Sequence, residues 1–554
     1  MPENTDFTFR QPSAEELVSA GAGGGLIVGR IDRNIGANGH RRGDADPDLS
    51  PPGSFVVARG GNTVVIGPCR TWKTVGLTAN LICPEVEIDP VAEADLLKRL
   101  LARARRRLSP RLARSGVRKT RVGFTSPVMM FDRSGEVLAS TILARLRLGR
   151  KVAVIDPDGL LKGLAKKPGF EYLSEVPTVG FEPLNALPSE DHPRFALEVE
   201  RLAESFIGSD RHRCDVEATA CAQVFLAGLI AFVARLPLGD ARRSIAFVGS
   251  LLHDEALPHM LSGEPLPEWT GEDGGFLPEW REWDLSSPEW NDRAGGLPSR
   301  ASARYRNLVA SGHSVEADAA IMICRSALSW LRSPGIQDCL AAPAFDFADF
   351  IEGRSDLFVL FSFIENSSHG RGHLAALAEC AFMTARVRPG RMVDGGIDVI
   401  LDDAPEVGRV PGVVDAFNRT GYQIHVRAHI VAQSESMLEA AYGPDVVDRM
   451  FANAETVSFR PQLSSRDERC HEMFGDWHRD AAFLARARDW DTFVARPGMC
   501  ARARMGAVRD LAAPEFRGLA LTHSLFDRDA LPSPQVLAEL RARLAAAGTN
   551  GIAG

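Results

Sequence analysis

The chain has 554 residues, with 64 Lys+Arg against 72 Asp+Glu and a formal net charge of −8. At 45% hydrophobic and 25% charged residues it has the composition of a folded chain of several domains, which excludes disordered and collagen-like classes. The acidic balance excludes nucleic-acid binding through overall charge, so any such contact needs a locally basic surface. The 9 cysteines are scattered without a CxxC pair or a zinc spacing, and no signal peptide is evident, so a reducing, cytoplasmic location is expected.

Residues 1–54 are rich in Gly, Pro, Asp and Asn and read as loop, with one short strand at Leu26–Ile31. Their glycines lack the strand-to-helix setting of a dinucleotide fingerprint. The stretch 62–82 is far more informative. A β-branched run, Thr63–Ile66, meets the loop Gly67-Pro68-Cys69-Arg70-Thr71-Trp72-Lys73-Thr74, and a helical apolar pattern follows. In that arrangement backbone N–H groups cradle phosphates, lysine reaches the terminal phosphates and the hydroxyl holds Mg²⁺. Trp72 stands where the pattern has its second glycine, bringing a Cβ and an indole to the most crowded point of the cradle. The alternative is an ordinary strand-to-helix turn with an accidental Lys73-Thr74.

Residues 96–121 are basic, with Leu96, Leu97, Leu100, Leu101, Ala104 and Leu108 at helical spacing and arginines on the other face. Two readings stay open: a contact surface for a phosphate backbone or anionic membrane, and a solvated helix paired with the acidic remainder. A strand at 128–131, the turn Asp132-Arg133-Ser134-Gly135-Glu136, a helix at 137–148 and a strand at 152–155 then form a parallel βαβ unit. Asp132 and Asp156 end their strands, where polar residues face the ligand crevice of an open α/β sheet. They support a competing reading as a metabolic enzyme, for which no nucleophile–base pattern is found.

Helical patterns take over at 195–206, 216–236, 302–308 and 317–331. The section 263–298 carries Trp269, Trp280, Trp283 and Trp290 among acids. Packing onto helices is expected there rather than base stacking, because the acids repel a phosphate backbone. The most apolar window, 220–236, contains Gln223 and Arg235 and reads as a core helix, so no transmembrane segment is expected. From Ser355 the α/β pattern returns, with strands at 357–361 and Ile397–Leu401 and a helix at 375–385 between them. Asp402-Asp403 closes the second strand as a Mg²⁺-holding and water-activating pair would. A helix at 413–419 and a strand at 424–432 come next. Gln433 and Ser434 end that strand, where a polar side chain can sense a γ-phosphate. Thr456–Phe459 reads as the last strand, and an amphipathic helix spans 532–547.

In order and type, these motifs over 55–475 resemble the type IV secretion coupling proteins, the TraG/TraD-like conjugative DNA-transfer ATPases. The resemblance rests on the phosphate loop, Asp132-Arg133-Ser134-Gly135-Glu136, Phe181-Glu182-Pro183-Leu184 and, above all, Ile400-Leu401-Asp402-Asp403-Ala404-Pro405-Glu406-Val407-Gly408-Arg409. Arg419-Thr420-Gly421-Tyr422, Ala432-Gln433-Ser434, Tyr442-Gly443 and Asn453 follow at similar distances.

The resemblance implies an α/β fold, a RecA-like phosphate-loop NTPase domain with a mainly parallel sheet and an inserted all-α domain. The expected segments are a loop-rich 1–54, a nucleotide-binding domain at 55–190 and 346–515, the insertion at 191–345 and a tail with a helix at 516–554. ATP and Mg²⁺ are the implied cofactors. Gly67, Pro68, Thr71, Trp72, Lys73 and Thr74 would bind nucleotide, with Thr74 and Asp402 on the metal. Asp403 would activate water, Gln433 would sense the γ-phosphate, and Arg419 would reach a neighbouring subunit's nucleotide. The implied partners are a DNA, nucleoprotein or protein substrate, type IV secretion components and further copies in a hexamer, with a cytoplasmic site peripheral to the inner membrane. Trp72, Ser134 in place of a lysine, and Asp403, one methylene shorter than glutamate, depart from the family pattern. A misplacement near 1 Å can cost about 100-fold in rate. The alternative is therefore a catalytically impaired homologue acting as a non-hydrolysing substrate receptor or assembly partner.

Overall fold

The computed structural model describes residues 26–31, 55–58, 61–67, 73, 80–82, 85–88, 118–121, 123–208, 216–265, 284–362, 371–418, 425–454, 456–459, 491–496, 499–504 and 532–549. Thirteen strands lie among them: β1 (Leu26–Ile31), β2 (Phe55–Ala58), β3 (Thr63–Ile66), β4 (Glu85–Ile88), β5 (Arg118–Arg121), β6 (Val128–Asp132), β7 (Lys151–Ile155), β8 (Ser355–Leu360), β9 (Ile397–Leu401), β10 (Val426–Ala432), β11 (Thr456–Phe459), β12 (Asp491–Arg496) and β13 (Met499–Arg504). Eleven form one sheet in the order β2-β1-β13-β12-β11-β3-β10-β9-β6-β8-β7. From β11 to β7 every pairing is parallel, whereas β12, β13, β1 and β2 continue the edge antiparallel. The fold is thus of the expected α/β class with a mainly parallel sheet.

The parallel strands are legible because they are apolar on both faces. Along β6, Met129 and Phe131 enter one core while Val128 and Met130 enter the other. β8 divides in the same way, Leu357 and Val359 from Phe358 and Leu360. One face is covered by the Glu136–Arg147 helix and the tail helix Pro534–Thr549, which buries Val536, Leu540 and Leu544. The other receives the Arg371–Val387 helix and the helical section between β7 and β8, the all-α insertion.

In the insertion, Val216–Ala234 packs against the Phe195–Ile207, Leu297–Ala310 and Ser314–Ala327 helices. Among the described residues it alone is long and apolar enough to cross a membrane, and 72% of that window is buried inside the fold. Trp290 is fully buried. Its Nε1 donates to the Asp284 carbonyl at 2.7 Å and its ring meets Phe232 edge-on, so it packs onto helices. Trp269, Trp280 and Trp283 lie outside the described residues.

Two expectations need correcting. Thr456–Phe459 is not the last strand, because β12 and β13 follow as a hairpin. β13 alternates Arg with Ala and β12 is bounded by Asp491 and Arg496, so neither carries a long apolar run, and pairing with β11 and β1 completes them. The helical reading of 96–121 fails at its end, where Arg118–Arg121 is a strand paired antiparallel with β4; residues 96–117 lie outside the described residues. The short strand expected at Leu26–Ile31 is present as β1, paired with β2 and β13 in the large sheet.

Candidate functional site

Neighbouring parallel strands end on the same side, so β3, β10, β9 and β6 bring their following residues to one edge of the sheet. Gly67 follows β3, and its N–H donates to the carbonyl of Ala432 at the end of β10, at 3.1 Å. Lys73 is buried, and its Nζ donates to the Gly67 carbonyl. Gln433, next after β10, donates through Nε2 to Asp403 Oδ1 at 3.4 Å. Asp402, buried at 8% exposure, and Asp403 follow β9. Contacts therefore run unbroken from Lys73 to the residue beside Asp402, across one intervening strand.

From the far side, Arg133, the residue after β6, donates through Nη1 to Asp403 Oδ2 at 2.9 Å. Asp403 sits in the left-handed backbone region (φ 58°, ψ 52°), a position that carries strain in a non-glycine residue. Its carboxylate thus lies between Arg133 and Gln433, with one oxygen engaged by each. Sequence reasoning quoted Arg133 within its motif but gave it no role. Its place directly after a strand-terminal aspartate was the available signal.

Asp132 and Asp156 also reach the carboxyl edge, but as structural acceptors. Asp132 accepts from the backbone N–H groups of Ser134 (3.1 Å), Gly135 (3.0 Å) and Leu138 (2.9 Å). Asp156 accepts from Leu160 and Leu161, each at 2.8 Å. Burial raises both carboxyl pKa values, and these N–H groups work in the opposite direction. With their oxygens committed to the turns beneath them, the metabolic-enzyme reading loses its acids. Gly135 makes the first turn possible: it adopts φ 74°, and a Cβ there would lie 2.5 Å from Leu164 Cδ1.

A polar row also joins three strands nearer their amino ends. Thr63 Oγ1 pairs with His429 Nδ1 and His429 Nε2 with Asp398 Oδ1, each at 2.9 Å, and Arg427 Nε donates to Asp398 at 2.6 Å. Burial holds the His429 pKa down, while Arg427 and His429 overcome burial to hold that of Asp398 down. Thr63, His429 and Asp398 are buried and Arg427 is partly exposed, and the row ties β3, β10 and β9 together behind the crevice. Sequence reasoning did not find it, because its members come from three separate strands.

Of the expected site residues, Gly67, Lys73, Asp402, Asp403 and Gln433 are brought together at this edge. Pro68, Thr71, Trp72, Thr74 and Arg419 lie outside the described residues. The donor set suits a magnesium–phosphate group in part: a buried lysine and a buried aspartate serve the same edge, whereas the neighbouring Asp403 is engaged by an arginine. Among the described residues no cluster of three or more His, Cys, Asp or Glu could hold a metal by itself.

No family model matches the chain, and no curated protein does. Among solved structures, the plasmid coupling protein TrwB in complex with the non-hydrolysable GTP analogue GDPNP is similar over 84% of this chain and 88% of its own, at 14% identity and a TM-score of 0.45. The unbound monoclinic form of the conjugative coupling protein TrwBdeltaN70 is similar over 80% and 84%, at 14% identity and the same TM-score of 0.45. VirB4 of Thermoanaerobacter pseudethanolicus is similar over 89% and 97%, at 12% identity and a TM-score of 0.42. At these values the likeness carries no argument for a shared activity.

Proposed function

We propose that this chain is a phosphate-loop protein of the type IV secretion coupling-protein kind, which binds ATP with Mg²⁺ and links it to recruitment and translocation of a DNA or protein substrate. The supporting observation is the run of contacts Lys73–Gly67–Ala432 and Gln433–Asp403 across adjacent parallel strands. In this reading Lys73 leaves the Gly67 carbonyl for the phosphates, in a loop completed by Pro68, Thr71 and Trp72. Thr74 and Asp402 hold the metal, which would neutralise charge on the phosphate oxygens. Gln433 reports the terminal phosphate to Asp403. Arg419 serves a neighbouring copy in a hexamer that meets type IV secretion components from the cytoplasmic side.

The test is DNA-stimulated ATP hydrolysis by the full chain and by Lys73→Ala. The expected result is stimulated hydrolysis that falls at least about 100-fold in the variant, the scale of one misplaced or missing transition-state contact. Hydrolysis unchanged by the substitution would overturn the reading.

A second reading, a catalytically impaired homologue acting as a non-hydrolysing substrate receptor or assembly partner, is favoured by one observation. Both oxygens of Asp403 accept hydrogen bonds, one of them from a guanidinium. Little or no ATP affinity together with no turnover would select it, and micromolar ATP affinity of the unaltered chain would count against it.

A further inference from the structure

We propose that Arg133 is a phosphate-responsive latch on Asp403, which lets this site tell a nucleoside triphosphate from a diphosphate. The proposal rests on the phosphate-site reading above and assigns Arg133 a role within it. Three observations carry it.

First, the ion pair joins residues that leave adjacent strands, β6 and β9, at the edge where Lys73 and Asp402 also arrive. A guanidinium there stands on the same edge as any phosphate held by those two groups and is joined to the residue next to Asp402. Its planar fork suits carboxylate and phosphate equally, so both can compete for it.

Second, the base of Arg133 is fixed while its tip is accessible. Asp132 clamps the following turn through three backbone N–H groups. The Arg133 side chain is 33% exposed, against 16% for that of Asp403. The guanidinium can therefore change partner without movement of the strand or of the Glu136–Arg147 helix.

Third, Arg133 occupies one acceptor site on Asp403 Oδ2 and Gln433 one on Oδ1, so each oxygen of this carboxylate already carries a donor from a neighbouring strand end. In the latched state the guanidinium competes with water for Oδ2. When Arg133 moves to the terminal phosphate, Oδ2 is released. Asp403 can then take a proton from water as the water oxygen bonds to the terminal phosphorus and the bond to the bridging oxygen breaks. The products are the diphosphate and inorganic phosphate. Arg133 is in this sense a discriminating residue that acts on the terminal phosphate.

The test compares affinities and needs no turnover. ATP and ADP, each with Mg²⁺, are titrated by calorimetry into the full chain, Arg133→Ala, Arg133→Lys and Lys73→Ala, after thermal unfolding has confirmed that each variant folds. The expected result is a preference for ATP over ADP that falls about 10-fold in Arg133→Ala, with ADP affinity changed less than about 3-fold. Arg133→Lys, which keeps the charge, should retain part of the preference. Lys73→Ala should weaken both nucleotides together. If Arg133→Ala weakens ATP and ADP equally, or leaves both unchanged, the latch is wrong and the phosphate site stands. If the unaltered chain binds neither nucleotide, the phosphate-site reading falls and takes the latch with it.

Discussion

At Asp403, backbone and side chain are pulled into a special arrangement by their neighbours. Its φ of 58° is a position that glycine would take without strain, yet a carboxylate is placed there, between donors from two other strands. The sequence makes Asp402-Asp403 readable as a strand end. It does not reveal the Arg133 partner, because that contact spans 270 residues and depends on the strand order β9-β6. Glu182 shows a similar limit. It lies in a stretch quoted for its family resemblance, and in the fold its carboxylate accepts from the N–H groups of Leu184 and Ile245 at 3.1 Å. Burial pushes its pKa up to about 7 from an ordinary 4.5, with those N–H groups opposing. A raised carboxyl pKa means the folded state holds a proton that the unfolded state releases. This stabilisation is present below pH 4.5 and is lost as pH rises to about 7. At about 1.4 kcal/mol per unit the loss is at most roughly 3 kcal/mol, and less in practice because the residue is only half-buried. Glu182→Gln should flatten the stability–pH curve across this window, as measured by urea unfolding at several pH values. An equally steep curve in the variant would rule Glu182 out as the cause.

At the scale of elements, legibility follows burial. β6, β8, β9 and β10 are mostly apolar and buried along nearly their whole length, and each was readable as a strand. β2, β4 and β5 are short or charged and become strands through partners distant in sequence, whereas β12 and β13 pair with each other as a hairpin and then with β11 and β1. The tail helix was legible from its apolar spacing, but its docking site was not. Leu540 is fully buried in the core formed with the Glu136–Arg147 helix. Arg147 grips Glu539 through Nε at 3.0 Å and Nη2 at 2.8 Å, which holds that carboxyl down at about 2. The ion pair is partly exposed and contributes little; the apolar face decides the docking. Leu540→Ala should therefore destabilise the protein by about 2–5 kcal/mol, whereas Glu539→Gln should cost less than about 1 kcal/mol, both read by denaturant unfolding. Equal effects would contradict this ranking.

Across the whole molecule, a buried charge cluster joins the helical insertion to the segment following Asp403. Arg386 Nε donates to Glu198 Oε1 at 3.0 Å, Arg386 also pairs with Glu379, and Glu379 accepts from the Gly412 N–H at 2.6 Å. Nearby, Arg409 reaches Glu204 at 3.1 Å and the Tyr442 carbonyl at 2.6 Å. The insertion was legible as a change from alternating to helical periodicity. Its attachment was not, because each of these ties depends on side chains brought together from distant segments. These ties bear on how the crevice works only if Lys73 and the aspartates act there as one site. The most direct measurement is a calorimetric titration of Mg²⁺–ATP into the full chain beside Lys73→Ala and Asp402→Asn. Saturable binding that weakens at least about 10-fold in each variant, with the Asp402→Asn difference vanishing when Mg²⁺ is withheld, is the predicted result. Binding of equal strength in all three proteins would contradict the account.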